Sequence, residues 1–226
     1  MAKNIFRRDE LENILDSVIG KTLGEVDTKK VFNMTLEKPK ITGIAGKVME
    51  ESVLGYKSDN KQEADLIVDG IETAFKTTGL KRTKKGKFSL EAKEPMSITA
   101  VSPTQIINEE FYNSKFWEKI SHTLFVYYLY DSEKTVKASE YSNFTIQGYH
   151  FHEFNDTDTK ILMNDWLVVR DFIKDLHLNY ENPDKYYPNI SKLRERMMYM
   201  DTAPKWPNPP RFRLKRCVLN TIVQQH

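Results

Sequence analysis

Apolar residues recur at helical spacing from Asp9 to Ile19, where Leu11, Ile14, Leu15, Val18 and Ile19 form one stripe and Gly20 supplies a stop. The same spacing predicts a second helix from Ile44 to Leu54, with Val48, Met49 and Val53 inward and Gly55 at its end. The pattern then shortens to strands. Asp65–Val68 is a brief apolar strand, Thr73–Thr78 is the next strand or its continuation, and a further one runs from Phe88 to near Val101. Helix returns around Gln105–Trp117. Leu124–Tyr130 is dense in β-branched and aromatic residues, the mark of a central buried strand, and Phe144–Phe154 alternates as another. Asn164–Leu176 predicts a helix capped by Asn164, and Ile190–Met200 one more. TAPKWPNPPR is irregular by composition, and RFRLKRCVLNTIV changes from strand period to helix period near Lys215. The sum is an α/β domain with a mixed sheet. No GxGxxG follows the first strand, which argues against a dinucleotide-binding βαβ fold.

A chain of 226 residues suits one domain with a sizeable core, spanning residues 1–226. No apolar run approaches membrane-spanning length, so no membrane partner is expected. Cys217 is the single cysteine, which rules out an internal disulfide and makes a cytoplasmic setting natural. A formal net charge of +2 says little about partners, but its distribution says more. KRTKKGK groups Lys81, Arg82, Lys84, Lys85 and Lys87 around a glycine, a compact loop suited to phosphate contacts. RFRLKR places Arg211, Arg213 and Lys215 on one strand face, with Arg216 adjoining, while Phe212 and Leu214 occupy the other. A solvated face with counter-anions explains either patch alone equally well.

Candidate chemistry sits in EADLIVDGIETAFK. Metal-dependent phosphodiester hydrolysis needs carboxylates around a cation such as Mg²⁺ and a lysine that orients water or offsets charge. Asp65 and Glu72 can supply the carboxylates, and a lysine two residues after Glu72 would share its strand face, but that residue is Ala74. Lys76 keeps strand parity with Glu72 yet lies about 13 Å along an extended strand instead of about 6.6 Å. Asp69 as a substitute acid, or a bulge that folds the spacing back, are the rescues. Taken on their own, these charges are more economically a solvated surface than a metal site. His150 and His152 in GYHFHEF share a strand face and Glu153 adds an acid, but two histidines are too few ligands for a metal, and exposed strand positions explain them better.

The ordered pieces GIAGKVMEESVLGYKSDNKQEADLIVDGIE, NSKFWEKISHTLFVYYLY, MNDWLVVRDFI and PRFRLKRCVLNTIV resemble the MutH-type family of GATC-specific endonucleases. The resemblance implies a restriction-endonuclease-like fold of the PD-(D/E)XK type. Carried over residue by residue, it makes Glu50 the helix glutamate near the metal site, Asp65 and Glu72 the metal carboxylates, and Ala74 the occupant of the lysine position. A two-residue insertion would instead assign the lysine to Lys76 and leave Ala74 where the glutamate belongs. Either way the set is vestigial. The chain is most similar to the second, degenerate nuclease-like domain of the staphylococcal and lactococcal type II restriction enzymes that cut GATC. That likeness implies a fragment of a larger two-domain protein, with no cofactor of its own and Mg²⁺ in the parent enzyme. Its implied partners are duplex DNA containing GATC and an N-terminal catalytic domain, with a DNA-induced dimer or loop left open. The alternative is an active Mg²⁺-dependent endonuclease using Asp65, Glu72 and a displaced Lys76.

Overall fold

A computed structural model describes residues 4–57, 65–83 and 90–225. In chain order the strands are β1 (Asn4–Phe6), β2 (Leu66–Val68), β3 (Ile71–Arg82), β4 (Leu90–Ala92), β5 (Met96–Ala100), β6 (His122–Leu129), β7 (Ile146–Glu153), β8 (Met200–Ala203) and β9 (Arg211–Leu214). The α-helices are α1 (Arg8–Asp16), α2 (Leu23–Val26), α3 (Met34–Glu37), α4 (Ile44–Val48), α5 (Pro103–Ile106), α6 (Lys115–Glu118), α7 (Asp156–Asn179) and α8 (Arg216–Gln224). The chain divides into two compact units, Met1–Lys93 with Thr123–His152, and Glu94–His122 with Glu153–Gln225.

The first unit is built on a mixed sheet in the order β1-β2-β3-β6-β7, with β4 paired to the far end of β3. β1 runs parallel to β2, β2 antiparallel to β3, and β3 parallel to β6. Val68 and Ile71 are joined by Asp69 and Gly70 alone, at φ values of 47° and 83°. Positive φ at both central residues is what a tight hairpin of this kind demands, and an Asp-Gly pair supplies it. Asp69 is thereby committed to the turn, where its Oδ1 accepts the Arg8 backbone N–H at 3.2 Å and starts α1. One face of the sheet contributes Leu66, Val68, Phe75, Leu124, Val126 and Tyr128 to the core, against Leu11 and Leu15 of α1 and Val48 of α4. These apolar contacts supply most of the driving force for this unit.

The second unit carries the antiparallel sheet β5-β9-β8 and the long helix α7. Buried Leu162, Trp166, Val169, Ile173 and Leu176 recur at three- and four-residue steps along that helix. It starts eight residues before the predicted position, because Asn155, not Asn164, accepts the Asp158 N–H at 2.9 Å as cap. Polar Asp156–Lys160 hides the first turn from any hydrophobic pattern. The strand predicted from Phe88 is two strands in different sheets, separated at Pro95, which has no N–H to donate; Phe88 itself lies outside the described residues. The helix predicted over Gln105–Trp117 is three short turns, the last capped by Ser114 through the Trp117 N–H.

The helix predicted over Ile190–Met200 is replaced by a 3-10 stretch, Pro183–Arg196, followed by β8. Asp165 is the reason. Only 3% exposed, its carboxylate accepts the backbone N–H groups of Met198, Tyr199 and Met200 at 2.6–2.8 Å, and so holds that segment extended. Burial raises the Asp165 pKa, with these three hydrogen bonds and Lys215 pulling the other way. Asp165→Ala strands three backbone donors, and is expected to destabilise the chain by roughly 3 kcal/mol or more in urea denaturation. A loss below about 1 kcal/mol would show that the clamp does not organise this segment.

Candidate functional site

The helix begun by α4 continues through Met49–Val53 as a π turn, closed by Leu54 N–H donating to the Met49 carbonyl at 2.8 Å. Gly55, at φ 80°, then reverses the chain, so that the Tyr56 N–H reaches the Glu50 carbonyl at 3.0 Å. Gly46 brings this helix close to β3: a Cβ there would stand 3.4 Å from Thr77 Oγ1. Single π turns inside helices recur at functional sites, and this one carries Glu50.

Asp65 sits at the mouth of the β2–β3 hairpin, where its Oδ2 accepts the Phe75 N–H at 2.8 Å. The register pairs Leu66 with Thr73, and one further step sets Asp65 beside Ala74. Ala74 is fully buried. Glu72 is exposed and pairs with Ile67 nearer the hairpin tip. From Ala74 to Leu80 each residue of β3 pairs in unbroken sequence with Thr123 to Leu129 of β6. The bulge that would fold Lys76 back into the lysine position is therefore absent from this span. Asp69, the substitute acid, is held at the start of α1 instead.

Electrostatics show which groups converge. Burial pushes the Glu50 carboxyl up to about 7, and the neighbouring Asp65 charge pushes in the same direction. Lys47 and Lys76 oppose the rise, while Glu51 adds slightly to it. Glu50, Asp65 and Lys76 thus form one cluster, and Glu72 is exposed nearer the hairpin tip. Lys47 was missed by sequence reasoning, although its place one helical turn before Glu50 is the spacing at which side chains meet.

Mg²⁺ takes oxygen ligands and retains several waters, so Glu50 and Asp65 suit such an ion as a carboxylate pair. The fit ends there. Among the described residues no group of three His, Cys, Asp or Glu side chains is placed to hold a metal ion. Position 74 is alanine, and the cations beside the pair are Lys47 and Lys76. His150 and His152 contact each other, Nε2 to Nδ1 at 3.3 Å, and add no third ligand.

The basic segments are placed differently from one another. Lys81, next to last in β3, holds its ammonium 5.1 Å from the Tyr130 ring centroid, a cation–π contact that Lys93 shares at 4.2 Å. Arg82 is exposed, whereas Lys84, Lys85 and Lys87 lie outside the described residues. In the second unit Arg211 and Arg216 are exposed. Arg213 forks onto Asp201 at 2.7 and 2.9 Å, and Lys215 donates to the carbonyls of Arg194 and Met197. The alternating strip is real in period, but two of its cations are committed to partners within the unit. No helix among the described residues is long and apolar enough to cross a membrane.

Because the folded-state pKa of Glu50 exceeds its ordinary value of 4.5, the protonated residue favours the fold; that contribution is lost as pH rises through about 7. Glu50→Gln is expected to match the unaltered chain below about pH 4.5 and to exceed its stability by roughly 2–3 kcal/mol near pH 8 in urea denaturation. Parallel pH profiles for the two proteins would contradict the assigned burial and charge.

No curated protein matches the chain. Residues 54–165, a stretch that begins after Glu50 and stops before the terminal basic segment, match the family described as DNA mismatch repair enzyme MutH. Asp65, Glu72, Ala74 and Lys76 all fall inside the match. Over residues 54–165, just under half of the chain, the sequence is similar to MutH, and the fold is mixed α/β of the restriction-endonuclease kind.

Proposed function

We propose that the chain is a catalytically silent, nuclease-fold DNA-binding domain of a GATC-specific type II restriction endonuclease. In this reading the parent enzyme hydrolyses phosphodiesters with Mg²⁺ in an N-terminal catalytic domain. The present chain adds a second GATC contact and regulates cleavage, through a DNA-induced dimer or loop. The observation that carries the reading is Ala74, buried beside Asp65 within the MutH-matching stretch, at a position where one alignment of the resemblance requires lysine and the other glutamate. In the first case the developing charge on the scissile phosphate loses a stabilising cation, in the second the metal loses a carboxylate, and either deficit is of the kind that costs orders of magnitude in rate. Cation-rich ends of β3 and β9 support retained duplex binding by charge neutralisation.

The runner-up is an active Mg²⁺-dependent GATC endonuclease. One observation favours it: Lys76 acts electrostatically on Glu50, and so reaches the carboxylate cluster from its own strand position.

The test is fluorescence anisotropy of duplexes with and without a GATC site, titrated with the isolated chain at moderate salt. Selective binding, at least about tenfold in favour of GATC, is expected, since a lost base contact costs 1–3 kcal/mol. Binding without selectivity would overturn the GATC assignment. Absence of duplex binding would leave only a structural or dimerising role. Neutralising Lys81 and Arg82 is expected to lower the salt slope by about 1–2 for every duplex alike.

A further inference from the structure

In the second unit, the 3-10 stretch Pro183–Arg196, β8 and β9 enclose a cleft of about 560 Å³. Its charged lining is Lys192, Arg194, Lys205 and Arg213 against Glu195 and Asp201. Pro188 and Ala203 are the only apolar residues of the lining, the stems of the charged side chains adding further apolar surface, and the excess of cations over acids favours an anionic ligand. The walls are held from several sides. Trp206 packs its ring 5.1 Å from that of Tyr187, which fixes the loop carrying Lys205. Tyr187 in turn meets His177 of α7, Oη to Nε2 at 2.7 Å. Thr202 donates its hydroxyl to the Ile190 carbonyl at 3.1 Å and ties β8 to the opposite wall.

Arg213 gives the cleft its character. Its side chain is 29% exposed and that of Asp201 15%, so the two-pronged pair is partly withdrawn from water. The carboxylate fixes the guanidinium plane and cancels one positive charge at the same time. Lys192, Arg194 and Lys205 are exposed and unburdened by such a clamp in the described geometry of their side chains.

We propose that this cleft binds the phosphodiester backbone of duplex DNA, and that Asp201 restrains its affinity by holding Arg213 in the fork. The proposal rests on the DNA-binding reading above and assigns that binding to a place none of the four resemblance segments except the last one touches. A backbone phosphate meets guanidinium and ammonium groups here through charge-assisted hydrogen bonds, which position a duplex without reading its sequence. The opposing carboxylates disfavour tight capture of any phosphate, a restraint suited to a domain that must sample many sites.

Two variants move in opposite directions. Lys192→Gln/Arg194→Gln/Lys205→Gln is expected to weaken binding to GATC and non-GATC duplexes alike by tenfold or more, and to lower the salt slope by about 2–3. Asp201→Asn releases one positive charge, and is expected to tighten both duplexes severalfold and steepen the slope by about 1. Circular dichroism and melting temperature establish that each variant is folded; Asp201→Glu, which keeps the charge, should leave binding near that of the unaltered chain. Unchanged duplex affinity in the triple variant would overturn the cleft while leaving the DNA-binding reading intact. Failure of the unaltered chain to bind any duplex would overturn both. Weaker binding by folded Asp201→Asn would overturn the restraint. Capture of inorganic phosphate or a polyglutamate peptide, with duplex binding unaffected by the triple variant, would assign the cleft to a different anion and overturn the proposal.

Discussion

The unbroken parallel pairing of β3 with β6 determines what the hairpin beside it can do. A paired strand alternates its side chains strictly, and seven successive partners from Ala74 to Leu80 leave no residue to shift that alternation. Phe75 is thereby committed to the core with Leu124 and Val126, and Ala74 to the opposite side of the strand, where it is fully buried. Lys76 follows one pleat further on. Any chemistry proposed for this region must work with the cation in that position, because moving it would shift the core as well.

Within that frame, the carboxylates and lysines settle into a mutually compensating cluster. Glu50 on its π turn is partly buried next to Asp65, and such a pair cannot be doubly charged without cost. Lys47 and Lys76 offset part of it, and the raised pKa of Glu50 accommodates the remainder. Two carboxylates remain suited to a cation, while Glu72 is exposed nearer the hairpin tip and position 74 holds a fully buried alanine. An alanine at a fully buried position packs without the desolvation penalty that a lysine would carry there unless carboxylates surrounded it.

Much of this was legible in the residues, and the failures have physical causes. The core strand Leu124–Tyr130, the opening helix and the change of period near Lys215 are local signals, and each appears in the structure. The Asp-Gly hairpin turn removes Asp69, offered from the sequence as a substitute acid, from the list of usable ones. Long-range partners were not visible. Asp165 looked like one residue of a helix motif, but its reach to Met198–Met200 converts a predicted helix into an extended segment. Arg213 had the period of an exposed strip, and only the pairing of β8 with β9 places Asp201 opposite it. At the site, spacing alone drew attention to Ala74. The convergence of Glu50 with Asp65 and Lys76 needed the register of β3 and the placement of α4.

The central claim is that the hairpin no longer cuts. A single-turnover assay tests it most directly, with the chain in excess over an end-labelled GATC duplex, in Mg²⁺, alongside Asp65→Asn. The account predicts no nick above the level given by Asp65→Asn, even at protein concentrations that saturate the duplex. A metal-dependent nick at GATC that disappears in Asp65→Asn would contradict it.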